Sequence, residues 1–125
     1  MARLRKPTAT NITASIDIRR QILERISELS TTAEQAFTAV QTAETDAQLE
    51  LLASARTAQL EIDAAVVELA SAVLLAGVPA HTVSTQSGIS TATLTRNNPP
   101  YMAGLRGHDL VQDPSAPYGW RVAAT

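Results

Sequence analysis

The chain has 125 residues, 45% of them apolar, with no cysteine and four aromatic side chains. That length suits one small domain with a helical extension, and the absence of cysteine excludes disulfides and thiolate metal sites. The formal net charge of −2 hides a division: residues 1–20 carry +4, residues 21–76 carry −7 and residues 77–125 carry +1. No acidic residue stands between Glu68 and Asp109. Because a nucleic acid responds to the local field, an acidic total does not exclude one as a partner.

The first segment, "MARLRKPTAT", is basic and is not followed by an apolar signal core. Residues 1–11 are predicted to form a flexible arm whose Arg3, Arg5 and Lys6 reach phosphate or the minor groove. Asn11-Ile12-Thr13 matches a glycosylation acceptor, a match without meaning in the cytoplasmic setting expected for this chain.

From Thr8 to Ala76 there is neither glycine nor proline, so this stretch is predicted helical. Ile22, Ile26, Leu29, Ala33, Ala36, Val40, Ala43 and Ala47 recur at alternating steps of four and three, a heptad seam that becomes alanine-rich. The phase slips near residues 42–48, and the stripe resumes as Leu51, Ala55, Ala58, Ile62, Val66, Leu69 and Val73. Thr45 with Gln48, and Thr31 with Glu34, offer capping boxes for new helix starts. Two arrangements fit: one continuous coiled-coil helix with a stutter, or an antiparallel hairpin turning near residues 42–47. Either leaves an apolar stripe that wants a partner. Residues 12–59 are therefore read as a homodimerisation region with Ile22, Ile26, Leu29, Ala33, Ala36 and Val40 in the contact.

"AAVVELASAVLLAGV", residues 64–78, is interrupted by Glu68 and is short for a membrane span, so no membrane partner is expected. The protein is read as cytoplasmic, associated with the nucleoid if it binds DNA. Gly77 and Pro79 close the helical part as a terminal glycine followed by proline does. Residues 80–87 then suit a short helix with Val83 inward. Gly88 stands where a left-handed turn is needed, and Ser90 is a good cap for a helix that runs to Pro99-Pro100.

The run Val83-Ser84-x-x-x-Gly88-Ile89-Ser90-x-x-x-Leu94-x-Arg96 resembles the helix-turn-helix of bacterial DNA-binding proteins, including resolvase-like and winged-helix regulators. Ser84 matches the small residue of the first helix, Gly88 the turn and Leu94 the buried aliphatic. Ser87 and Asn97 depart from the pattern, where apolar residues are usual. The resemblance implies that Ser90, Thr91, Ala92, Thr95 and Arg96 face the major groove, with His81 and Thr82 near phosphate. Arg96 would contact guanine, Thr91 and Thr95 would meet methyl groups or phosphates, and Ser90 would cap the helix.

"HDLVQDPSAPYGWRV", residues 108–122, reads as a β-hairpin with Tyr118, Trp120 and Val122 on one face opposite Leu110. A hairpin after a helix-turn-helix is the order of a winged helix, so residues 60–125 resemble one, preceded by the long helical region. The wing's tip offers Asp113 and so is expected to pack the domain, with Arg121 as the exception that binds DNA. The fold class is thus mainly α with a small C-terminal hairpin.

His81 and His108 lack neighbours at ligand spacing. Nucleophile elbows, phosphate-cradling glycine loops and zinc spacings are absent, so no enzyme, metal or cofactor is expected. The expected function is a homodimeric binder of double-stranded DNA, a transcriptional regulator or a plasmid- or phage-type site-binding protein. The alternative is a helical adaptor or assembly protein whose acidic helices take a basic protein partner.

Overall fold

The computed structural model describes residues 6–124. They form two compact units, one of Leu23–Val66 and one of the described parts of Met1–Ile22 and Val67–Thr125. We call these the hairpin unit and the terminal unit. The elements are α1 (Ala9–Thr42), α2 (Thr45–Leu75), α3 (Ala80–Ser87), α4 (Thr91–Asn97), α5 (Pro100–Leu105), β1 (Leu110–Gln112) and β2 (Trp120–Val122). The fold is mainly helical, with one two-stranded antiparallel sheet. No helix among the described residues is long and apolar enough to cross a membrane.

In the hairpin unit the chain reverses at Ala43 and Glu44, so the phase slip marks a break between helices and not a stutter in one rod. Neither glycine nor proline signals this turn. It is held by Gln48, whose Nε2 donates at 3.0 Å to Val40 O, a carbonyl near the end of α1 that also accepts from Ala43 N at 3.4 Å. Gln48 N donates to Glu44 O, so the side chain serves α1 and does not close a capping box with Thr45. The second expected box does not form either: α1 runs unbroken past Thr31, whose hydroxyl bonds back to Ser27 O.

The heptad seam turns inward. Ala33, Ala55, Ala58 and Ala65 are the buried residues of this unit, while Ile26, Leu29, Ala36 and Val40 are half-buried. Ile22, at the edge of the terminal unit, is 1% exposed. Of the six seam residues read as a dimer contact, Ile22 and Ala33 are buried within one chain and the other four are half-buried, so the chain itself covers part of that stripe.

The terminal unit combines the start of α1, the end of α2 and everything that follows. Ser15 Oγ donates to Ala72 O, and these two residues are equally distant in sequence from the turn, as antiparallel arms require. Ala14, Ile18, Ile22, Leu75, Met102, Leu105, Leu110 and Trp120 are buried here. Of the flexible arm expected over residues 1–11, the structure describes residues 6–11, and of these residues 9–11 begin α1. Thr8 caps α1: its Oγ1 accepts from Asn11 N at 3.1 Å, and Asn11 Oδ1 accepts from Thr8 N at 3.0 Å. Asn11 is fully buried and also donates to Leu105 O and His108 O and accepts from Gly107 N. Every polar group of its amide is satisfied, so it ties the first turn of α1 to the end of α5. Pro7 packs on Gly77, where a Cβ would lie 2.4 Å from Pro7 Cγ. Arg3 and Arg5 lie outside the described residues.

Pro99-Pro100 ends α4 as expected but also begins α5, which the sequence reading had not placed. Pro100 occupies a first-turn position, where its missing N–H costs nothing, and Met102 and Leu105 face the core. In the sheet Leu110 pairs with Val122, Val111 with Arg121 and Gln112 with Trp120. Trp120 and Leu110 are buried, whereas Val122 is exposed. Tyr118 does not continue the strand: it sits in the turn with φ +59, and its hydroxyl bonds Glu68.

Candidate nucleic-acid interface

The α3–α4 pair is built on one small apolar cluster. Val83 from α3, Leu94 from α4 and Ala70 from α2 are its buried members, with Val73, Leu74, Val78 and Ile89 packed around them. Gly88 carries φ +77 and its N–H closes α3 on Ser84 O. That left-handed conformation strains any residue with a Cβ, so glycine is required by the turn and not by crowding: nothing lies within 4 Å of where a Cβ would be. Ser90 is extended and accepts from Thr93 N at 3.1 Å, as an N-cap should.

The two departures from the helix-turn-helix pattern have local uses. Ser87 Oγ accepts from Ile89 N and so satisfies a donor in the turn. Asn97 Nδ2 donates to Thr93 O in the last turn of α4. Polar side chains here hydrogen-bond neighbouring backbone in place of adding apolar burial.

The sequence-derived residues divide by what occupies them. Thr91, Ala92, Thr95 and Arg96 are all exposed, and their spacing gathers them on one side of α4. Ser90 is exposed, but its hydroxyl is engaged by Thr93, so its work is capping. His81 is exposed and Thr82 half-buried at the start of α3, where Pro79 provides no side-chain cap for the first N–H groups. Lys6 is exposed one residue before the Pro7–Gly77 contact.

The three arginines after Ala76 have different surroundings. Arg106 Nη1 donates to Leu74 O at 3.1 Å. Arg121 is paired with Asp113 at 3.0 Å and also donates to Val122 O, so its charge is matched inside the hairpin. Bonds from Ser115 and Arg121 hold the Asp113 carboxyl below its ordinary range. Arg96 has no hydrogen bond or ion pair among the described residues, which leaves its guanidinium available to a ligand.

The sheet is fastened to the helices. Trp120 Nε1 donates to Asp17 Oδ2 at 2.9 Å, Gln21 Nε2 donates to Tyr118 O at 2.9 Å, and Tyr101 bonds Trp120 O. The Asp17 carboxyl is held below its ordinary value of 3.8 by bonds from Arg20, Trp120 and Gln21. Sequence reasoning missed this brace and missed Asn11, since their partners lie about a hundred residues away. Only Thr8 and Asn11 at capping spacing gave a local sign. Among the described residues no group of three His, Cys, Asp or Glu side chains is placed to hold a metal.

No family model, curated protein or solved structure matches the chain.

Proposed function

We propose that the protein is a DNA-binding module that reads a site with α4 and binds as a homodimer. The observation that carries this is the α3–Gly88–α4 turn presenting Thr91, Ala92, Thr95 and Arg96 outward in a stretch without acidic residues. Arg96 makes the guanine contact, Thr91 and Thr95 meet thymine methyl groups or phosphate, and Ala92 allows close approach. The uncapped N–H groups of α3, with His81 and Thr82, take a phosphate, and the basic residues before Pro7 add salt-dependent affinity. The sheet serves as a brace, and Arg121, matched by Asp113, adds little to binding.

Dimerisation falls to a different face from the seam. Leu23 and Phe37 on α1, and Leu52 and Val66 on α2, are exposed in the hairpin unit at spacings of whole heptads. A second copy covering this face would present two reading helices to a site with two-fold symmetry. Operator or centromere binding of the plasmid or phage kind, or transcriptional regulation, is the role that fits. The same exposed face on acidic helices also favours the second reading, an adaptor for a basic protein partner.

Selection of bound sequences from a random DNA pool tests the proposal. Recovery of a palindromic site is expected. A pool that stays unenriched after repeated rounds, while the protein binds a basic protein, would select the adaptor reading.

A further inference from the structure

The terminal unit contains a cavity of about 320 Å³ bounded by the end of α2, the start of α3, α4 and α5. Leu75, Leu94 and Met102, each 1–2% exposed, give it an apolar floor. Thr95, Asn98 and Arg106 add the polar part of its wall. Its size falls at the lower end of the range, about 300–1,000 Å³, typical of small-molecule sites, which are likewise mostly apolar with a few placed polar groups.

One of those groups is unpaired. Asn98 Oδ1 is closed off from solvent and accepts no hydrogen bond, the one such side-chain atom among the described residues. The contrast with Asn11, whose amide is fully satisfied, is direct. A buried acceptor without a donor is costly and calls for an explanation. Asn98 is the extended residue that joins α4 to Pro99 and α5. Presenting the oxygen to the cavity takes a turn about its terminal amide torsion, which is soft.

We propose that this cavity binds a small, neutral, single-ring hydroxy-aromatic molecule whose O–H donates to Asn98 Oδ1. The ring replaces water on the apolar floor, and the hydroxyl supplies the missing donor. A carboxylate fits less well: its charge would oppose the Asn98 oxygen, and Arg106 already donates to Leu74 O. Thr95 belongs both to the cavity wall and to the exposed patch of α4, so an occupant touches the reading helix from behind. The site itself does not depend on DNA binding.

The test is an NMR titration of the full chain, without DNA, using phenol, toluene and benzoate as probes. Phenol is expected to shift the Leu75, Leu94 and Met102 methyl signals saturably and to bind at least about fivefold more tightly than toluene, roughly the worth of one hydrogen bond. Asn98→Ala should bring the phenol-to-toluene ratio to about one. If that variant does not fold, Ala103→Leu at the exposed rim provides the second arm and should weaken both ligands. No saturable shift with phenol, or toluene or benzoate binding as tightly as phenol, would overturn the assignment.

Discussion

The hairpin unit and the terminal unit bury different kinds of residue. In the hairpin the buried side chains are four alanines, while Leu23, Phe37, Leu49, Leu52, Leu60 and Val66 remain exposed. In the terminal unit Ile18, Ile22, Leu94, Met102, Leu105 and Trp120 are buried together with Asn11, Ser15 and Ser71. Burying a large aliphatic or aromatic side chain contributes about 1.5–3 kcal/mol, and an alanine methyl much less. Alanine lets helices approach closely but leaves their apolar mass outside. The terminal unit is therefore specified from within, by packing and by satisfied polar groups, whereas the hairpin keeps much of its apolar surface exposed.

The largest expected effect is at the polar lock of the terminal unit. Asn11→Ala leaves the Leu105 and His108 carbonyls and the Thr8 and Gly107 N–H groups without this partner. It should cost about 3–5 kcal/mol in denaturant unfolding. A loss below about 1 kcal/mol would mean that water replaces Asn11 and that the lock is not what specifies this unit.

Two glycines of the same unit sharpen the point, since both have positive φ but only one is crowded. Gly88→Ala should cost about 1–2 kcal/mol from backbone strain alone. Gly77→Ala adds a clash with Pro7 and should cost about 1–2 kcal/mol more. Equal losses in thermal unfolding would show that the Pro7 contact yields without resistance.

On the hairpin the expectation reverses. Phe37→Glu combined with Leu52→Glu removes exposed apolar surface, so each should change folding stability by no more than about 0.5 kcal/mol. Sedimentation should nevertheless change from dimer to monomer. A wild-type chain that is monomeric at all concentrations would contradict the proposed dimer.

The smallest effect is a pH dependence at the brace. Asp17 has a lowered pKa in the folded chain, so its contribution to stability is present above the ordinary value of 3.8 and is lost as pH falls through the lowered one. Trp120, the single tryptophan, donates to this carboxylate and reports the change. Its fluorescence should hold steady down to about pH 4 and shift below it. A transition centred well above pH 4 would assign the change to another group.

Local chemistry made much of the terminal unit legible in advance. Gly88 at a left-handed turn, Ser90 as a cap, Val83 and Leu94 facing inward and a strand pair around Trp120 each follow from one residue and its near neighbours. The turn at Ala43–Glu44 was harder, because no glycine or proline marks it and the heptad pattern suits a rod as well as a hairpin. The helix α5 was hidden by reading Pro100 as a stop when it is also a start. Tyr118 entered the turn because its hydroxyl finds Glu68, and Asn11 became a core residue because its partners arrive from the other end of the chain. Such contacts carry no local signature.

The proposed DNA contact of α4 runs through Arg96. Its most direct test is a binding titration of wild type and Arg96→Ala on a selected site, each at low and at physiological salt. Wild type should bind with affinity that falls steeply as salt rises, and Arg96→Ala should lose about 1–3 kcal/mol with relaxed base preference. Absence of binding at low salt, or an Arg96→Ala variant with unchanged affinity and base preference, would contradict it.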